Sequence, residues 1–158
     1  MSAVAWLLPL VWLVAGLTMI NAGIYVAFSS FVLPALRTLP AADAVRAMQR
    51  VNEKAPRSAF MVPFVGSALG GAAIIVAVLV SHPAGLWWLI AGAIAALLAF
   101  FLTAGVNVPL NNALAAASDA NASEAWRRFD RPWAASNHLR GLVSVVSAVL
   151  LAAGAVSA

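Results

Sequence analysis

Leu86-Trp87-Trp88-Leu89-Ile90-Ala91-Gly92-Ala93-Ile94-Ala95-Ala96-Leu97-Leu98-Ala99-Phe100-Phe101-Leu102-Thr103-Ala104-Gly105-Val106 is the stretch that decides the fold, and it carries no charged residue. A bilayer's hydrocarbon core is roughly 30 Å thick, and an apolar helix rising about 1.5 Å per residue crosses it in about 20 residues. Lipid offers no water to unpaired backbone groups, so a segment like this one crosses as a helix, which pairs them internally.

Working outward, three more stretches meet the same requirement, at about residues 4–36, 60–80 and 133–156. The first is uncharged until Arg37 and longer than one crossing needs, so it is expected to tilt or to project beyond the lipid. No Lys or Arg precedes it, and it far exceeds the 7–15 apolar residues of a signal-peptide core, so it reads as a retained span. The whole chain is 64% hydrophobic and 9% charged, against about 45–50% and about 25% in soluble domains. Residues 1–158 therefore read as one all-α domain, an integral membrane four-helix bundle.

The charges assign an orientation. Arg37, Arg46, Arg50, Lys54 and Arg57 lie between the first two spans; Arg127, Arg128 and Arg131 precede the fourth, with Arg140 just inside it. The intervening Ser81-His82-Pro83-Ala84-Gly85 connection has no Lys or Arg. By the positive-inside rule the two basic loops are cytoplasmic and both termini lie outside. Abundant Ala and an excess of Arg over Lys point to a bacterial source with a GC-rich genome, hence to the bacterial cytoplasmic membrane. The net charge of +4 flanks apolar spans and accompanies no nucleic-acid recognition motif, so no nucleic-acid partner is expected.

Each basic loop is expected to hold a short interfacial helix. In loop one it runs from about 41 to 54, started by Pro40, with Asp43 in its first turn and Val45, Met48 and Asn52 on one face. In loop three, Asn121 with Glu124 three residues on has a capping-box pattern, and Pro132 is expected to separate that helix from the fourth span. Small-residue steps (Gly66, Gly70 and Gly71; Gly141, Ser144 and Ser147; Gly16, Gly23 and Ala27) read as close helix packing, with a homo-oligomer face as the other reading.

Polar residues at membrane depth are costly and mark where chemistry can lie. Asn21, Tyr25 and Ser29 share one face of the first span, either as interhelical hydrogen-bonding groups or as part of a site. Asn107 and Asn111, one turn apart around Pro109, read either as a helix exit or as ligand contacts. Trp133, Asn137 and Arg140 share a face of the fourth span beside His138. Trp133 also suits an interfacial anchor, Arg140 a snorkelling cation and His138 a structural hydrogen bond. In the antiparallel topology Asn107, Asn111, Asn137, His138 and Arg140 are expected to converge with Gln49, Asn52 and Glu53 on one cavity reached by Tyr25. Trp126 and Trp133 would sit nearby. Such a set suits a planar molecule with an ionisable oxygen.

There is no cysteine, and the two histidines, His82 and His138, fall on opposite membrane faces, roughly 30 Å apart. No metal site is expected, and no GxGxxG or P-loop supports a nucleotide cofactor.

At these residues the chain resembles the anthrone-oxygenase-like family of small four-helix membrane proteins. The resemblance rests on the glycine-containing first span ending Pro34-Ala35-Leu36, on Met48-Gln49 and Asn52, and on Asn107-Val108-Pro109-Leu110-Asn111 with Leu114. It continues through Trp126, Trp133, Asn137, His138 and Arg140. It implies an oxidoreductase that oxidises anthrones to anthraquinones with molecular oxygen and without a cofactor. His138 would then be the general base. Arg140 and the amides of Asn107, Asn111 and Asn137 would stabilise the enolate or phenolate, with Trp126, Trp133, Tyr25, Asn52 and Glu53 around the substrate. The competing readings are a non-enzymatic membrane protein that binds or moves a small hydrophobic molecule, and an accessory membrane subunit.

Overall fold

A computed structural model describes residues 6–157. Residues 4 and 5, where the first span was expected to begin, lie outside the described residues. The described chain is all-helical, with five helices: α1 (Leu7–Leu36), α2 (Ala41–Lys54), α3 (Met61–Ser81), α4 (Leu86–Ala115) and α5 (Ala122–Ser157). Helices α1, α3, α4 and α5 are long and apolar enough to cross a membrane. They run antiparallel in chain order, so α2 and the start of α5 share one end of the bundle and the His82–Gly85 turn takes the other. Helix α2 has the expected bounds, with Pro40 preceding it and Ala44, Val45 and Met48 buried against the bundle.

Lipid tails are as apolar as leucine, so close packing and interhelical hydrogen bonds hold such helices together. Leu7, Val11 and Val14 of α1 meet Ile74 and Val78 of α3, Leu89 of α4 and Leu151 of α5 in one core. Where α4 crosses α5, a Cβ on Gly92 would lie 2.8 Å from Leu151 Cγ, and one on Gly154 would lie 2.6 Å from Leu89 Cδ2. Glycine at both positions lets the backbones meet, and Ser147 Oγ donates to Gly92 O at 2.7 Å across the crossing. Gly70 and Gly71 likewise face Val14 and Ala93 of neighbouring helices, so these small residues serve packing within the chain. Gly85 has a left-handed φ of 74°, and a Cβ there would sit 2.8 Å from Gly154 O.

Two π turns interrupt the long helices, Phe28–Val32 in α1 and Thr103–Asn107 in α4. Each ends two residues before a proline, Pro34 and Pro109. A helical proline removes the bond to the carbonyl four residues back and its ring crowds that carbonyl. Those carbonyls belong to Ser30 and Gly105, both inside the π turns, where the wider turn accommodates the ring.

Two expectations fail at prolines. The third long helix does not end at Asn107; helix α4 continues to Ala115, because the π turn absorbs Pro109. Loop three has no separate interfacial helix: Ala122–Ser157 is continuous through Pro132. Pro132 and Arg128, four residues back, are both exposed, so water can take the carbonyl that the proline leaves unpaired. The reciprocal cap is formed by Ser118 and Asn121 around the 3₁₀ turn Asp119–Asn121, rather than by Asn121 and Glu124.

Candidate functional site

A cavity of about 530 Å³ opens at the basic end of the bundle among α1, α2, α4 and α5. That lies within the roughly 300–1,000 Å³ of small-molecule sites. Its wall is largely apolar, with Ile24, Phe28, Met48, Val51 and Phe60 prominent. Four helix faces supply polar groups. Helix α4 presents Thr103, Asn107 and Asn111 at four-residue spacing, α5 presents Trp133, Asn137 and Arg140, α1 presents Tyr25, and α2 presents Asn52 with Arg50 and Lys54, two exposed cations that pair with Glu53.

Arg140 is the centre of the site. It is 4% exposed, so it does not snorkel to the interface. Its Nη1 donates to Thr103 Oγ1 at 3.1 Å and its Nη2 to Asn137 Oδ1 at 2.9 Å. The guanidinium carbon lies 4.4 Å from the Tyr25 ring centre and 5.4 Å from that of Trp133, within cation–π range. It has no carboxylate partner. All five acidic residues of the chain pair with other cations: Asp130 with Arg37, Asp43 and Asp119 with Arg46, Glu53 with Arg50 and Lys54, and Glu124 with Arg127 and Arg128. A buried cation without a counter-ion is costly, and its Nε is a buried donor with no partner in the protein.

The asparagines build the frame around it. Asn137, fully buried, donates to Tyr25 O and to Ser29 Oγ, both at 2.8 Å, while its carbonyl accepts from Arg140. It thus spends every group on position, tying the edge of the α1 π turn to the guanidinium. Asn107 accepts from Ser136 Oγ at 2.7 Å and donates to Trp133 O at 3.4 Å. Asn111 Oδ1 accepts from Trp133 Nε1 at 2.8 Å, which fixes that ring beside the cavity. On α2, Gln49 donates to Leu114 O and Ala117 O, holding the helix across the opening. Asn52 Nδ2 is a second buried donor without a protein partner.

Tyr25, Asn52, Asn107, Asn111, Trp133, Asn137 and Arg140 therefore do meet in one cavity. Four expected members do not. Gln49 is outside the lining, its amide spent on Leu114 O and Ala117 O. Trp126 packs against Phe129, their rings 5.8 Å apart, in the apolar cluster behind Trp133, and is not itself a lining residue. Glu53 is exposed and paired with Arg50, outside the cavity; that hydrogen bond, then Lys54, holds its carboxyl below the usual range. His138 is turned out of the cavity, because a step of one residue from Asn137 rotates about 100° around the helix. Its Nδ1 lies 2.7 Å from Ala134 O, and its ring lines a separate groove. Asn21 serves as an interhelical link, donating to Pro63 O and Ser67 Oγ. Thr103 and Ser136 were not anticipated, although Thr103 sits one turn before Asn107 on the same face. Among the described residues no group of three or more His, Asp and Glu could hold a metal ion.

A family model described as anthrone oxygenase matches residues 57–150, well over half of the chain. The match takes in every cavity residue on α4 and α5, while Tyr25 and Asn52 lie outside it. No curated protein and no solved structure matches the chain. With the match spanning α3, α4 and most of α5, the chain belongs to the anthrone oxygenase family.

Proposed function

We propose that the protein is a membrane-embedded oxygenase that binds a planar, anthrone-like aromatic as its anion and lets that anion react directly with molecular oxygen. The observation that carries the reading is Arg140, buried in an apolar cavity with no carboxylate partner and an unfilled Nε donor. An enolate or phenolate oxygen would be its missing counter-ion. Charge-assisted hydrogen bonds of that kind are about twice as strong as neutral ones. Asn52 Nδ2 offers a second donor to a ring oxygen. Thr103, Asn137, Tyr25 and Trp133 fix the guanidinium in advance, so little reorganisation is needed as charge develops.

The chemistry balances without another redox partner. The anthrone methylene loses a proton to give the enolate, which Arg140 holds. The electron-rich carbon transfers electrons to oxygen and forms a C–O bond, giving a peroxide anion. The distal peroxide oxygen takes a proton, and the O–O bond breaks as the remaining C–H proton leaves. The carbon becomes the quinone carbonyl, and the second oxygen atom departs as water. One oxygen molecule is consumed per anthrone. The cavity lining has neither carboxylate nor imidazole, so its contribution is to hold the anion, with Asn137 as a positioning residue for Arg140.

Oxidising a hydroxylated anthrone under isotopically labelled oxygen tests the reading. The new quinone carbonyl should carry the label at a rate above protein-free autoxidation. A product rate equal to autoxidation would refute it and leave a non-catalytic binder of aromatic anions.

A further inference from the structure

Outside the cavity, between α1 and α5, lies a groove of about 450 Å³ that shares two of its residues with the cavity, Tyr25 and Asn137. Its other lining includes Val26, Leu142 and Val145, and exposed Leu142 beside it marks a face turned to lipid. His138 is its one imidazole. The Ala134 carbonyl can only accept, so the 2.7 Å contact places a proton on His138 Nδ1. In the neutral ring Nε2 is then left with a free lone pair, an acceptor for an acidic proton. The groups that face this ring across the groove are Tyr25, Ser29 and Ser30 of α1 and Asn137 of its own helix, and no Lys, Arg, Asp or Glu lines the groove.

The two spaces differ in the charge they suit. The groove offers a neutral acceptor in apolar surroundings and suits the protonated substrate, the form that dissolves in lipid. The cavity offers an unpartnered cation and suits the anion. We propose that the groove is a lateral access site, resting on the oxygenase reading above: the neutral aromatic enters there from the bilayer and His138 Nε2 removes its acidic proton. The resulting anion passes the Tyr25–Asn137 wall to Arg140. In this step the substrate C–H or O–H bond breaks and an N–H bond forms on the imidazole. The exposed imidazolium then gives its proton up to solvent, and the peroxide anion takes its proton from solvent, so the balance closes.

The test reads ionisation rather than turnover. Protein in phosphatidylcholine vesicles is mixed without oxygen with a hydroxylated anthrone, below the pH at which the free compound ionises, and the absorption band of the bound anion is followed in time. The band should appear in wild type. It should reach the same final height in His138→Gln and Ser30→Phe, but more slowly by roughly tenfold or more, a modest share of a general base's contribution. Ser30 is exposed and bonds only Val26 O of its own helix, so phenylalanine there fills the groove without touching Arg140. Arg140→Gln should abolish the band. Formation at the wild-type rate in both groove variants would overturn the access site and leave the oxygenase reading intact. A wild-type protein that never forms the band would overturn both.

Discussion

Replacing Asn137 by aspartate would give Arg140 the counter-ion it lacks. The amide oxygen accepts from Arg140 Nη2 at 2.9 Å, so the new carboxylate would occupy that position and turn a site of charge +1 into a neutral pair. A substrate anion bound at the guanidinium would then lie about 4 Å from this carboxylate. At an effective dielectric of about 20, two unit charges about 4 Å apart interact by about 4 kcal/mol. At about 1.4 kcal/mol per decade, that repulsion weakens anion binding by roughly a thousandfold. The fold should tolerate the change: the donor to Tyr25 O is lost, costing about 1–3 kcal/mol, Ser29 Oγ turns from acceptor to donor, and the new ion pair offsets much of the cost. The assay is titration of a hydroxylated anthraquinone, a stable product analogue, into detergent-solubilised protein at neutral pH, with circular dichroism to confirm folding. A folded Asn137→Asp protein that binds within threefold of wild type would refute the assignment of Arg140 as the anion holder.

Other expectations follow from the same contacts. Gly154→Ala should lower stability by about 1–3 kcal/mol, read as a lower Tm, because its Cβ would meet Leu89 Cδ2 at 2.6 Å. Ser136→Ala strands the buried Asn107 carbonyl and should cost about 1–3 kcal/mol, with a fall in turnover as the α4 frame loosens. Asn52→Leu should leave Tm unchanged or raised, since Nδ2 has no protein partner to lose, while weakening the binding of oxygen-bearing aromatics in the same titration. Glu53, held below the usual carboxylate range by Arg50, favours the folded state at neutral pH. That contribution is lost as pH falls through its depressed pKa, so Glu53→Gln should flatten the acid limb of a Tm-against-pH curve.

The bundle was legible because lipid leaves a chain few options. The uncharged runs dictate four apolar helices, and the one-sided placement of the basic residues dictates their antiparallel order. The cavity was half legible. Trp133, Asn137 and Arg140 recur at helical spacing, and Asn107 and Asn111 mark the facing stripe; Thr103 extends that stripe by one more turn. His138 adjoins Asn137 in sequence, but one residue turns the helix by about 100° and takes its ring out of the cavity. Positions 133, 137 and 140 face inward, whereas 138 joins 142 and 145 on the lipid side. The π turns were not legible as such, although each ends two residues before a helical proline. A backbone acceptor has no sequence signature of its own, so the bond from Asn137 to Tyr25 O could be found only in three dimensions.

The most direct test of the account is oxygen uptake by purified wild-type and Arg140→Gln proteins with a hydroxylated anthrone, each against a protein-free control. The account predicts uptake well above autoxidation in wild type and a loss of roughly a hundredfold or more in a variant that keeps its helical spectrum, as for removal of a transition-state oxyanion donor. Uptake that is equal in wild type and Arg140→Gln would contradict it.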